Sequence, residues 1–339
     1  MSAPGFHRDF LVTCLGAYDD SGLGTGGFVA VQDGAALILD RIDSTGLCAH
    51  GDTVYRFARG LRSIAGYRAD GFRSLLKVSE ARDIHDVVVR DGLFVCASTG
   101  TNEILWIDPF GKIVRRWRAE GERDAWHLNC FCEFEGRLHV SAFGRFSGHR
   151  GWVGQCTGQG FILDFENGRE VVSGLNGPHN PRFVDGKWIV CDSHASTLLV
   201  QGPGEAARRV ALGGFTRGFD WDERFFYVGE SANRKEPIPP DHSSIAVVDR
   251  AMLEVVARIT VPFPEIYELL RISPEFAMGI AAEPSNFQID QSAERFAALE
   301  NQVALGWREI DELKRRIAAV RGFEQLRSRV INIKRKLVG

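Results

Sequence analysis

No stretch of this sequence approaches the roughly 20 consecutive apolar residues that a bilayer-spanning helix requires. Residues 1–9 also lack a charged segment followed by an apolar run and a small-residue cleavage site, so a secretory leader is not expected. Charge of one sign is missing too. The 41 Lys and Arg against 44 Asp and Glu leave a formal net charge of −3, which gives no reason to expect a nucleic-acid partner. There is no Gly-x-Ser-x-Gly elbow and no phosphate loop, and the Gly-rich stretch at 24–27 does not stand between a strand and a helix. Seven cysteines, an odd number lying mostly in apolar strand-like runs, read as reduced core residues of a cytoplasmic protein. Cys130 and Cys132 are too close together to make a convincing zinc knuckle.

What the sequence does have is a repeat. Four segments share one pattern, a polar-starting strand, a tight turn and a second apolar strand. They begin at Ile84 (IHDVVVRDGLFVCAST), His127 (HLNCFCEFEGRLHVSAF), His179 (HNPRFVDGKWIVCDS) and Thr216 (TRGFDWDERFFYVGES). Asp91-Gly92, Glu135-Gly136, Asp185-Gly186 and Asp222-Glu223 occupy the same turn. A third and a fourth strand follow each segment, which gives four strands per unit. A sandwich would not require its turns to recur in this way, so the period points to a β-propeller. Residues 46–79 carry the pattern in degraded form, and residues 265–273 resemble an isolated inner strand. Its partners are expected from 10–18, 27–32 and 35–42, so both ends of the domain would build the last blade and leave no open edge. The expected fold is all-β, a six-bladed propeller over residues 1–275.

Beyond a linker at 276–294, residues 295–339 read as a helical coiled-coil arm. Phe296, Leu299, Val303, Gly306, Ile310, Leu313, Ile317 and Val320 follow a heptad, and Phe323 to Leu337 begin a second stripe. This seam suits a homo-oligomer or a helix folded back on its own propeller. Arg327, Arg329, Lys334, Arg335 and Lys336 against the single acid Glu324 make the end basic. That end suits an anionic membrane surface, such as the inner membrane, an acidic protein partner, or simply a solvated face.

Propeller inner strands surround a channel, and one of its mouths is where a ligand is expected. Counted back from Val95, Val140, Val190 and Val228, the residues His85, Asn129, His179 and Arg217 fall at nearly equivalent places, and alternation puts His127 on the face of Asn129. His85, His127 and His179 are residue types that can hold a divalent metal, with Asp86 or Glu268 as further ligands or bases. Without a metal, Arg182 and Arg217 could clamp a carboxylate or phosphate, with His127 or His179 carrying a proton. Asn129 and Asn180 could then orient a hydroxyl or carbonyl, and Trp126 could offer a flat wall. Arg182 could equally pair with Asp192 or Glu230. The Gly-rich insertion at 143–160 suits a loop over one face.

With DAWHLNC at Asp124, GPHNPR at Gly177, CDS at Cys191, GFTRGF at Gly214 and VGES at Val228, the chain resembles a family of uncharacterised bacterial six-bladed propellers over roughly 10–273. Asn180 stands where that family's pattern has serine. The resemblance implies the propeller and no particular reaction. More distantly the architecture is similar to gluconolactonases and strictosidine-synthase-like proteins, a likeness of fold alone. Two functions follow as expectations. One is a small-molecule-binding propeller, an enzyme on a polar or acidic, carbohydrate-like substrate if it is catalytic. The other is a non-catalytic recognition platform that uses its C-terminal helices.

Overall fold

A computed structural model of the chain describes residues 5–16, 26–232 and 241–282. The expected coiled-coil arm lies outside the described residues. Six four-stranded antiparallel sheets form the fold. Blades 1 to 5 cover residues 44–77, 84–118, 131–175, 178–211 and 215–261 in chain order. The sixth takes its inner strand from Glu265–Arg271 and its outer three from Phe10–Leu15, Gly27–Gln32 and Ala35–Asp40. Pairing of the two ends of the domain closes the ring, as the orphan strand at 265–273 predicts.

Within a blade the first three strands are largely buried and the fourth is exposed. In blade 2 the strand Ile84–Arg90 starts fully buried, whereas Ile113–Arg118 is mostly exposed. The core is not one cluster but six, one between each pair of neighbouring blades. Strand alternation produces this division. In Leu93–Ser98, Val95 and Ala97 point toward blade 3, while Cys96 between them points toward blade 1. All seven cysteines are free.

Three of the four expected hairpin turns have two consecutive residues in the left-handed region, as in Asp91 (φ 51°) and Gly92 (φ 74°). The Asp222-Glu223 turn differs. It is longer, and the Asp222 carboxylate accepts from the Arg224 and Phe225 amides at 2.8 and 2.7 Å. Residues 276–294, expected as a linker, begin inside a helix, α1 (Pro274–Ala282). Ser273 caps it by accepting from the Phe276 amide at 3.2 Å, and proline occupies the first helical position. Ala277 and Ile280 bury against the closing blade and blade 1. A Cβ on Gly279 would overlap the Ala69 carbonyl, so only glycine allows this approach. No helix among the described residues is long and apolar enough to cross a membrane.

Candidate functional site

Near its start, each inner strand of blades 1, 2, 4 and 5 carries a register shift, at Thr45/Leu47, Ile84/Asp86, His179/Arg182 and Thr216/Phe219. The pairing of the closing blade shifts at the matching place, skipping Tyr267. A bulge re-aims the extra residue. The shifts take His85, Arg217 and Tyr267 out of the regular pairing, and in blade 4 the shift directly follows His179, which stays paired with Cys191. Blade 1 contributes Gly46 (φ 53°) at its bulge, and a Cβ there would lie 2.9 Å from the Val87 amide nitrogen. His85 and Tyr267, two blades apart, pack edge to face with centroids 5.4 Å apart.

Side-chain hydroxyls pin the residues just before these positions. Thr45 donates to the Ile84 carbonyl (2.5 Å), Thr99 to Leu128, Ser193 to Thr216 (2.5 Å) and Ser231 to Ile266 (3.2 Å). Each bond crosses to the next blade. Repeated side-chain hydroxyls therefore set the inner strands at fixed positions relative to one another.

His127 arrives by a different route. It precedes the inner strand Phe131–Phe134, so strand alternation does not direct it. Its backbone is in the left-handed region (φ 53°), as is that of Asp124 (φ 50°), a conformation costing about 1–2 kcal/mol for a residue with a Cβ. The turn brings the Asp124 carboxylate within 2.8 Å of His127 Nδ1. Phe143 and Trp152, at the start and middle of the Gly-rich insertion, flank the imidazole at centroid distances of 4.2 and 4.3 Å. Trp152 Nε1 donates to the Asp124 carbonyl at 3.1 Å. The insertion thus covers His127, and its aromatic residues were not singled out by the sequence reasoning.

The three histidines meet. One ligand-capable nitrogen from each of His85, His127 and His179 lies within 4.8 Å of the others, and all three residues are buried. Burial pushes His85 down to about 4, with His127 and Arg217 lowering it further against the opposing pull of Asp83. Burial, then Arg217 and the neighbouring histidines, hold His179 well below the ordinary range. Both imidazoles are therefore neutral at pH 7. His179 Nδ1 sits 2.8 Å from Ser193 Oγ, whose own hydrogen goes to Thr216, and His179 Nε2 accepts from Arg217 Nη2 at 2.9 Å. Arg217 is also paired with Glu265 at 2.6 Å and lies 4.3 Å from the centroid of the Tyr267 ring. Three buried polar atoms in this group make no hydrogen bond among the described residues: His85 Nδ1, Arg217 Nε and Tyr267 Oη.

One residue further along the inner strands lies a second polar layer. Asp86 accepts from the Val87 and Phe131 amides, both at 2.8 Å. Glu268 accepts from the Phe219 and Leu269 amides at 3.1 Å and from Asn180 Nδ2. Asn180 Oδ1 accepts from the Gly218 amide at 2.7 Å, and its left-handed backbone (φ 45°) suits asparagine. These side chains join blades 2 to 3 and 4 to 5 and 6. Half-buried Arg182 faces Asp86 and Glu268 electrostatically and donates to the Phe131 and Pro181 carbonyls. It does not pair with Asp192 or Glu230, which Arg209 and Arg258 hold instead. Burial raises Glu268 to about 8, with Asp86 adding to the rise and Arg182 opposing it, and burial raises Asp86 to about 6.

The sequence-selected residues thus divide. His85, His127, His179 and Arg217 come together. Asp86, Glu268, Asn180 and Arg182 form the adjoining layer, where their polar atoms serve backbone groups. Asn129 is taken up by the His127 carbonyl, the Cys130 amide and Ser141. Trp126 is not a wall of the site. It lies in the core between blades 2 and 3, packed on Trp117 and Phe161 with the Arg145 guanidinium over its ring. Tyr267, Asp124, Ser193 and Trp152 were missed as site residues. For Tyr267 the signal was its match in the repeat to Arg217, each being the third residue of its inner strand.

Solved structures share the fold at low identity. A chain of a nidogen/laminin complex aligns with TM-score 0.55 and 9% identity, covering 77% of this chain and 97% of that one. A protein of unknown function from Bacteroides caccae gives 0.53 and 13%, covering 77% and 98%. A luciferin-regenerating enzyme gives 0.51 and 13%, covering 68% and 80%. No curated protein matches by sequence. Residues 76–280, which run from the end of blade 1 through the orphan inner strand into α1, match the domain of unknown function DUF4915, and the chain belongs to that family.

Proposed function

We propose that this propeller binds a small polar or acidic molecule at the histidine–arginine end of its channel. The observation that carries the reading is the group of unsatisfied atoms, His85 Nδ1, Arg217 Nε and Tyr267 Oη, on three blades whose side chains meet at the Tyr267 ring, 5.4 Å from the His85 ring and 4.3 Å from the Arg217 guanidinium. A buried polar atom left without a partner costs about 1–3 kcal/mol, so three together favour a missing hydrogen-bonding ligand over chance. Two of the three are donors, and the Arg217 guanidinium is a cation, so a carboxylate or another oxyanion suits them. If the ligand is turned over without a metal, His127 is the proton carrier, because Asp124 fixes one ring nitrogen and leaves the other for chemistry.

Calorimetric titration with sugar acids, hydroxy acids and their neutral counterparts tests this. Acids should bind and neutral analogues should bind more weakly. Arg217→Lys, which keeps the charge beside Glu265 but lacks Nε, should weaken the acids at least tenfold. Equal binding of acids and neutral analogues, or affinity unchanged in Arg217→Lys, would refute the reading.

A further inference from the structure

We infer that His85, His127 and His179 form a three-nitrogen site for a divalent transition-metal ion, and that Arg217 stands beside its open coordination position to receive an anionic ligand. The second half deepens the function proposed above and rests on it; the metal site does not.

The first argument is the arrangement of the other ring nitrogens. A metal-bound histidine characteristically gives its second nitrogen to a carboxylate, hydroxyl or carbonyl, which fixes the tautomer. Here all three rings have such a partner. His127 Nδ1 is held by Asp124 at 2.8 Å and His179 Nδ1 by Ser193 at 2.8 Å, while His85 Nε2 faces the Asp83 carboxylate at 3.5 Å. The partner atoms leave the lone pairs of His127 Nε2, His179 Nε2 and His85 Nδ1 for a ligand. His85 Nδ1 is buried and has no partner among the described residues.

The second argument is distance. Zn–N bonds of about 2.0–2.1 Å in a tetrahedron need nitrogens about 3.3–3.4 Å apart. One ring nitrogen from each histidine lies within 4.8 Å of the other two, so a set that close has to contract by no more than about 1.5 Å, within reach of small side-chain rotations. Three imidazole nitrogens suit Zn²⁺, Co²⁺ or Ni²⁺ and not the hard ions Mg²⁺ and Ca²⁺. Three protein ligands with a fourth position open is the arrangement of catalytic rather than structural zinc.

Arg217 gives the proposal its sharpest consequence. Its Nη2 now donates to the His179 Nε2 lone pair that a metal would use. Metal binding must therefore displace one guanidinium hydrogen bond, while the pair with Glu265 can persist. The guanidinium then competes with the bare ion yet assists an anion that bridges metal and arginine.

The test is titration of the purified full-length protein with Co²⁺ and Zn²⁺, following cobalt d–d absorption and calorimetric stoichiometry. One ion per chain is expected. His127→Ala should weaken it at least 100-fold and Asp124→Asn by about 10–100-fold. The charge-neutral double variant Arg217→Met/Glu265→Gln should bind the bare ion more tightly than wild type and sugar acids more weakly, which a general folding defect would not produce. Absence of stoichiometric metal from both wild type and the double variant, or affinity indifferent to His127→Ala, overturns the metal site. Sugar acids that bind to a protein that takes up no metal would leave the function proposed above standing while the metal site falls. Metal binding with no acid affinity would reverse the two.

Discussion

Replacing Glu268 with glutamine should flatten the pH dependence of stability between pH 6 and 8. Glu268 lies almost wholly buried beside Asp86 and Arg182, and burial raises its carboxyl from an ordinary 4.5 to about 8. A carboxyl whose folded value exceeds its unfolded one binds more protons in the folded state across the interval. Its stabilising contribution is complete below about pH 4.5 and is lost as pH rises through about 8. The slope approaches 1.4 kcal/mol per pH unit, so wild type should lose about 2 kcal/mol from pH 6 to pH 8 through this group alone. Glutamine cannot titrate and keeps an oxygen for the Phe219 and Leu269 amides. Denaturant unfolding at pH 6, 7 and 8, followed by tryptophan fluorescence, measures both slopes. Equal slopes in the two proteins, or a wild type that gains stability toward pH 8, would refute the reasoning.

Arg56 is fully buried and gives its guanidinium to Asp40, Ser44 and Tyr67, joining blade 1 to the closing blade. Arg56→Met should cost about 3–5 kcal/mol in denaturant unfolding because the Asp40 carboxylate is left uncompensated, and adding Asp40→Asn should recover part of the loss. Gly46→Ala should cost about 1–2 kcal/mol or more by the same assay, from the left-handed backbone and the close Val87 amide. Ser193→Ala should cost about 1–3 kcal/mol, since it deprives both His179 Nδ1 and the Thr216 carbonyl of a partner. Arginine, glycine and serine variants with wild-type stability would show that these contacts do not hold the ring.

The ring was legible because a propeller repeats its strands and turns. The Asp-Gly and Glu-Gly turns, and the orphan strand seeking partners at the other end, each followed from local pattern. The grouping of His85, His179 and Arg217 was legible for the same reason, since equivalent places in a repeat face the same axis. The bulges were not, because an extra residue in a strand leaves no mark in apolar alternation. They decide that His179 enters the site while its neighbour Asn180 turns to the Gly218 amide and Glu268. Trp126 was misplaced because an aromatic residue beside a polar motif reads the same in a channel wall and in an interblade core. Trp152 was unreadable because its contact with His127 depends on how a 17-residue connection between Arg137–Ala142 and Gly160–Asp164 folds back.

The central claim, that the histidine–arginine end of the channel is a ligand site, is tested most directly by a crystal structure at atomic resolution of the protein soaked with a sugar acid. The account predicts ligand density within hydrogen-bonding distance of Arg217 Nε, Tyr267 Oη and the His85 ring. A closed channel end, with those atoms satisfied by one another and the acid elsewhere or absent, would contradict it.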